Sequence, residues 1–138
     1  MTVSEEIRQQ FIEFIKGQAF DDQYIDRQEE KRIVEVGIKN EISVEESLSL
    51  IQQVVTEKGL VLERQTEDHV KDTLETFASD GKVDKKEFED ALTIFKKLTK
   101  GKMPEPELKR RLKNIMETNG WKAKEGGLFG SKWYSAIN

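Results

Sequence analysis

The sequence predicts an all-α protein, a compact bundle of five to six short amphipathic helices. Three observations support this prediction. Apolar residues recur at helical spacing along most of the chain, capping residues stand before the apolar stretches, and no segment alternates polar and apolar residues as a strand would. The length of 138 residues is that of one domain. We therefore expect residues 1–120 to form a single helical domain and residues 121–138 to form a tail.

The first half of the chain carries three predicted helices. Ser4 and Asp26 can cap the first two, because their side chains can accept bonds from unpaired backbone amides. The third opens with Ser43 and Glu46, a capping box in which each side chain bonds the other residue's amide, and Gly59 can end it. The apolar residues expected on the inner faces are Ile7, Phe11, Phe14, Ile15, Ile33, Val34, Ile38, Leu48, Ile51, Val54 and Val55.

The second half carries three more predicted helices, after a short apolar connector at residues 60–62. They begin at Thr66, after Asp84 and at Pro104, where a first-turn proline costs no hydrogen bond. Gly101 and Gly120 are suited to end the last two. The apolar residues expected inside are Val70, Leu74, Phe77, Phe88, Ala91, Leu92, Phe95, Leu98, Leu108, Leu112, Ile115 and Met116.

The turn between the fourth and fifth helices holds the most informative motif. Asp80, Gly81, Asp84 and Glu87 resemble the second half of an EF-hand calcium loop, with Glu87 at the position of the bidentate carboxylate. This resemblance implies degenerate EF-hand-like helix-loop-helix pairs and a metal site at Asp80, Asp84 and Glu87. Calcium takes about 6–8 oxygen ligands, and the two earlier ligand positions hold a threonine and an alanine. Weak calcium binding is therefore one alternative function, and the other interpretation is a helix-helix joint in which Asp84 and Glu87 form a capping box.

Two further resemblances involve this loop. Residues 42–46 align with residues 83–87, and in an EF-hand pair Ile42 would face Val83 in a short antiparallel bridge. Residues 78–87 are also similar to a short motif of the helical tellurite-resistance B (TerB) family. That resemblance implies a small helical scaffold with metal binding at its acidic residues.

Charge is distributed unevenly along the chain. Residues 1–92 carry 23 acidic and 12 basic side chains, whereas residues 93–138 carry 4 acidic and 11 basic ones. Both tryptophans lie in the tail. Basic and aromatic residues together are typical of protein interfaces, and also of surfaces that bind nucleic acid. The predicted partner-binding residues are Lys109, Arg110, Arg111, Lys113, Trp121, Phe129, Trp133 and Tyr134.

Catalytic motifs are missing from the sequence. His69 is the only histidine and there is no cysteine, which excludes cysteine-histidine pairs and multi-histidine metal centres. No phosphate-binding glycine loop or nucleophile elbow occurs. No run of residues is long and apolar enough to cross a membrane, and the start lacks a signal-peptide pattern, so we expect a cytoplasmic protein.

We therefore expect a non-enzymatic helical scaffold or protein-interaction module without a cofactor. The leading alternative is weak divalent-cation binding at the loop described above. The second is nucleic-acid binding through the basic C-terminal helices, although the net charge of −4 opposes it.

Overall fold

The all-α prediction is confirmed by the computed structural model, which describes residues 4–125 and 132–138. In the described residues the helices are α1 (Glu5–Gln18), α2 (Arg27–Lys39), α3 (Val44–Lys58), α4 (Glu63–Phe77), α5 (Lys85–Leu98) and α6 (Glu105–Thr118). Four two-residue strands lie between them: β1 (Tyr24–Ile25), β2 (Val61–Leu62), β3 (Lys82–Val83) and β4 (Lys122–Ala123). The helices are short and amphipathic, so their packed apolar faces supply most of their stability.

The chain divides into two compact units, residues 1–64 and residues 65–138. In unit 1, α1, α2 and α3 enclose one hydrophobic cluster, and β1 pairs in parallel with β2. The fully buried residues of this cluster include Ile15, Ile25, Ile33, Ile42, Ile51 and Val54. Unit 1 therefore has a core of its own.

Unit 2 repeats this arrangement with its own core. The division between the units falls within α4, after Arg64. The part of α4 from Gln65 onward packs with α5 and α6 around a second cluster, and β3 pairs in parallel with β4. The fully buried residues of this cluster include Val70, Leu74, Val83, Ala91, Phe95, Leu108, Leu112 and Met116. In both units the first strand follows the first helix, and its partner strand follows the third.

Most of the predicted helix ends are confirmed, because capping depends on neighbouring residues. Asp84 and Glu87 form the predicted capping box, and Gly59 ends α3 in the left-handed conformation with φ of 64°. Only the Ser43 half of the predicted capping box at α3 forms: Ser43 accepts from the Glu46 amide at 3.1 Å, and the Glu46 carboxylate lies 2.7 Å from the Arg8 guanidinium. The Glu46 carboxylate thus pairs with an arginine of α1 instead of capping its own helix.

Three expectations are wrong. Helix α4 begins at Glu63 rather than Thr66, directly after the apolar connector, which forms strand β2. Ile7 and Ile38, both expected on inner helix faces, are 39% and 54% exposed. Val83 pairs with Ala123 in parallel rather than with Ile42 in an antiparallel bridge. Each pair of two-residue strands therefore joins two segments of the same unit.

Among the described residues, no helix has the length and apolar character needed to span a membrane.

Candidate functional site

The loop from Asp80 to Glu87 uses its carboxylates to hold the turn. Asp80 accepts a hydrogen bond from the Lys82 amide at 3.0 Å, and its other oxygen lies 3.0 Å from the Lys124 ammonium. Asp84 accepts from the Glu87 amide at 2.7 Å, and Glu87 accepts from the Asp84 amide at 3.0 Å. The positive φ of Gly81, 79°, suits the reversal of the chain. Each of the three predicted metal ligands therefore has a partner within the protein.

The charges around this loop agree with that arrangement. The hydrogen bond from Lys124 lowers the pKa of Asp80, and the same bond raises the pKa of Lys124. Within residues 4–125 and 132–138, no group of three or more acidic or histidine side chains is placed to hold a metal ion. Calcium binding at Asp80, Asp84 and Glu87 stays a prediction. Its alternative is that these carboxylates serve only to join two helices.

Unit 1 contains an equivalent loop that the sequence analysis did not identify. The Tyr24 amide donates to Asp22 at 3.1 Å, and Asp26 and Glu29 form a second capping box. Desolvation by burial raises the pKa of Glu29. The shared pattern, Asp-x-x-Ile/Val-Asp-x-x-Glu, was visible at residues 22–29 and 80–87. The structural counterpart of the Asp80 loop is thus residues 22–29, not the segment at Ile42.

Two of the four predicted basic residues hold unit 2 together. The Arg111 guanidinium lies 2.8 Å from the Glu67 carboxylate, which links α6 to α4. The Lys113 ammonium donates to the carbonyl oxygens of Ile137 at 2.8 Å and Tyr134 at 3.3 Å. These cations are therefore part of the packing of α6.

The other two basic residues line an open groove. This groove of about 350 Å³ lies between the start of α6 and the end of the chain, and it is lined by Glu105, Pro106, Lys109, Arg110, Ala136, Ile137 and Asn138. Lys109 lies 3.9 Å from Glu105, and Arg110 pairs with Glu107. The side chains of Lys109 and Arg110 are 43% and 57% exposed. Such exposed ion pairs within one helix contribute only about 0.3–0.5 kcal/mol to stability. A carboxylate from a partner molecule can therefore compete for these cations.

The tail aromatics form a cluster on α5. The rings of Trp133 and Tyr134 lie 5.1 and 6.5 Å from the ring of Phe88, between centroids, and Trp121 packs against the same hydrophobic cluster. Phe129, also predicted to bind a partner, lies outside the described residues. Burial raises the pKa of Tyr134 to about 12. The described aromatics therefore serve first to dock the tail on unit 2.

Polar contacts fix the same segment. The Trp133 indole donates to the Lys124 carbonyl at 3.3 Å, and the Ser135 hydroxyl donates to Glu125 at 2.6 Å. The Lys113 ammonium also lies 4.9 Å from the centre of the Tyr134 ring, within the range of a cation–π contact. These contacts place residues 133–137 along one side of the groove.

His69 is exposed on α4, apart from any described cluster of acidic or histidine side chains. The sequence matches no known family model, and neither a curated protein nor a solved structure is significantly similar to it.

Proposed function

We propose that this chain is a non-enzymatic protein-interaction module that binds a partner at the groove of unit 2. The observation that carries the proposal is the composition of this groove. Apolar surface from Pro106, Ala136 and Ile137 lies beside the exposed cations Lys109 and Arg110. Apolar contact at the centre with charged residues around it is the usual arrangement of a protein interface.

The partner that fits this groove is a short segment with both apolar and acidic side chains. Its carboxylates would pair with Lys109 and Arg110, which lose little when they leave their exposed helical partners. Its apolar side chain would lie on Ile137. Because Lys113 and Tyr134 hold this end of the chain, one wall of the groove is already in place before binding, which reduces the entropy cost of association.

Nucleic acid fits the same surface less well. Arg111 and Lys113 are occupied within unit 2, and the rings of Trp133 and Tyr134 pack against Phe88. Base stacking would need these ring faces to be open. A protein segment needs only the two exposed cations and the apolar wall.

Selection of peptides from a random displayed library, using the full chain as target, tests the proposal. We expect selected sequences to combine apolar and acidic residues and to bind in fluorescence anisotropy. The double change Lys109→Glu and Arg110→Glu should weaken that binding at least about tenfold, since both charges reverse.

The matched control reverses two exposed cations of unit 1, Lys31→Glu and Arg32→Glu, and should leave peptide binding unchanged. Equal losses in both double variants would mean that only net charge matters, and would contradict the groove as the site. Tight binding of single-stranded RNA that disappears in the Lys109/Arg110 variant would favour the nucleic-acid function instead.

A further inference from the structure

Unit 1 contains a separate open cavity where the loop after α1 meets the end of α3. Its volume is about 340 Å³, and its lining residues are Lys16, Ala19, Phe20, Gln23, Lys58 and Leu60. Ala19 and Leu60 are buried beneath it. Phe20 is 77% exposed, more than any other large apolar residue that the structure describes. The cavity thus has an exposed aromatic ring at its rim and buried apolar side chains beneath it.

The two units share one architecture, so the residue of unit 2 that corresponds to Leu60 of the cavity can be identified from backbone hydrogen bonds. The Leu60 amide donates to Val55 at 3.0 Å, and the next amide, that of Val61, donates to Gln23. In unit 2 the Trp121 amide donates to Met116 at 2.9 Å, and the next amide donates to Gly81. Leu60 and Trp121 therefore occupy the same backbone position.

The side chains at this position differ greatly in size. Unit 2 places the indole of Trp121 against its own hydrophobic cluster, whereas unit 1 has only the shorter side chain of Leu60. Ala19 and Ala78, which follow the first helix of each unit, are both buried, so the surrounding floor is alike. Unit 1 thus lacks the aromatic group that unit 2 supplies from its own chain.

The loop beside the cavity differs in length as well. Five residues separate Ala19 from Ile25 in unit 1, whereas four separate Ala78 from Val83 in unit 2. The longer loop begins with Phe20, whose ring stands at the rim and is available for an edge-to-face contact with another aromatic ring.

We propose that this cavity binds an aromatic side chain, flanked by acidic residues, from a partner protein. The aromatic ring would take the place that the Trp121 indole has in unit 2. The acidic flanks follow from charge, because both charged residues that line the cavity are lysines, Lys16 and Lys58. Lys16 lies 3.5 Å from Glu13, whose side chain is 62% exposed, so a partner carboxylate can replace that contact.

The test is an amide NMR titration of the full chain with the pentapeptide acetyl-Asp-Glu-Trp-Glu-Asp-amide. We expect saturable shifts at Phe20, Gln23 and Leu60. Binding should be at least tenfold weaker when lysines replace the four acidic residues, and it should disappear when alanine replaces the tryptophan. Absence of shifts at these amides at millimolar peptide, or equal binding of the lysine peptide, would overturn the proposal.

Variants of the chain separate this site from other surfaces. Leu60→Trp supplies the missing indole from within and should abolish peptide binding. Phe20→Ser, at an exposed position that does not support the core, should weaken it at least fivefold. The control Val44→Ser removes another exposed apolar side chain of unit 1 and should leave binding unchanged.

Because the pentapeptide also has the apolar and acidic character expected of the partner of the unit 2 groove, binding to the cavity is measured only at the amides of Phe20, Gln23 and Leu60. In the Lys109→Glu and Arg110→Glu variant, the shifts at these three amides should saturate as they do in the natural chain. If Leu60→Trp does not fold, Phe20→Ser decides the matter. Unchanged titration of the Gln23 and Leu60 amides in Phe20→Ser, or loss of the shifts at these amides in the unit 2 variant, would refute the cavity as the site.

Discussion

Replacing Gly37 by alanine tests how closely α2 packs against α3 in unit 1. A Cβ atom at Gly37 would lie 2.3 Å from the Ser47 hydroxyl oxygen and 3.1 Å from the Phe11 ring. Ser47 is fully buried, and among the described residues its hydroxyl has no hydrogen-bond partner. The Ser47 hydroxyl is therefore both the steric limit and an unsatisfied polar group, and Ser47→Ala removes it.

The expected magnitude follows from opposing terms. Alanine stabilises a helix interior by about 1 kcal/mol relative to glycine, whereas overpacking a core costs about 1–3 kcal/mol. The net effect of Gly37→Ala is therefore expected to be a decrease of up to about 2 kcal/mol in the free energy of unfolding. Ser47→Ala should change it by less than about 1 kcal/mol, because the hydroxyl that it removes is unpaired. In the double variant the oxygen is gone, so most of the cost of Gly37→Ala should disappear.

Urea unfolding followed by circular dichroism measures all four members of this cycle. Gly17→Ala in α1 is the matched control, since a Cβ there meets nothing within 4 Å and should stabilise by up to about 1 kcal/mol. Additivity of Gly37→Ala and Ser47→Ala within about 0.5 kcal/mol would refute the reasoning. Equal stabilisation by the two glycine substitutions would refute it as well.

Three further predictions concern unit 2. In the Tyr24→Phe variant, where Tyr134 is the remaining tyrosine, ultraviolet titration should show Tyr134 ionising near pH 12. Because the phenol of the unfolded chain ionises near pH 10, the stability of the fold should decrease as the pH rises between these two values. Ionisation of Tyr134 near pH 10 would mean that the tail is not docked. Ending the chain after Gly120 removes β4 and the aromatic cluster, and should cost at least about 3 kcal/mol in urea unfolding; unchanged stability would contradict the described packing. Glu87→Gln weakens a helix cap, so it should lower stability by up to about 1 kcal/mol, equally with and without calcium. If calcium raises the melting temperature of the natural chain but not that of Glu87→Gln, the metal site is favoured instead.

Local features of the fold were predictable from the sequence, and contacts between distant segments were not. The caps at Asp84 and Gly59 depend on residues within one helical turn, so spacing alone identified them. The bond between Glu46 and Arg8 joins two helices, and no local pattern indicates it. The parallel strands were missed for the same reason. Each is only two residues long, and its partner lies beyond two intervening helices.

The candidate sites were predictable only as groups of residues. Composition identified the basic stretch at Lys109–Lys113, but tertiary packing decides that Arg111 and Lys113 hold the fold while Lys109 and Arg110 line a groove. Nothing in the local sequence distinguishes these pairs. The cavity at Phe20 was missed because it becomes evident only when Leu60 is compared with Trp121 in the repeated structure.

The parallel bridges give each unit its own reporter of unfolding. The Val61 amide donates to Gln23, and the Lys122 amide donates to Gly81. Each bond joins the segment after a unit's third helix to the loop after its first, so fraying of a single helix end does not break it. Hydrogen exchange at these two amides should therefore follow the opening of unit 1 and of unit 2 separately. Two protection factors from one experiment would then show whether the halves of this chain unfold together or in turn.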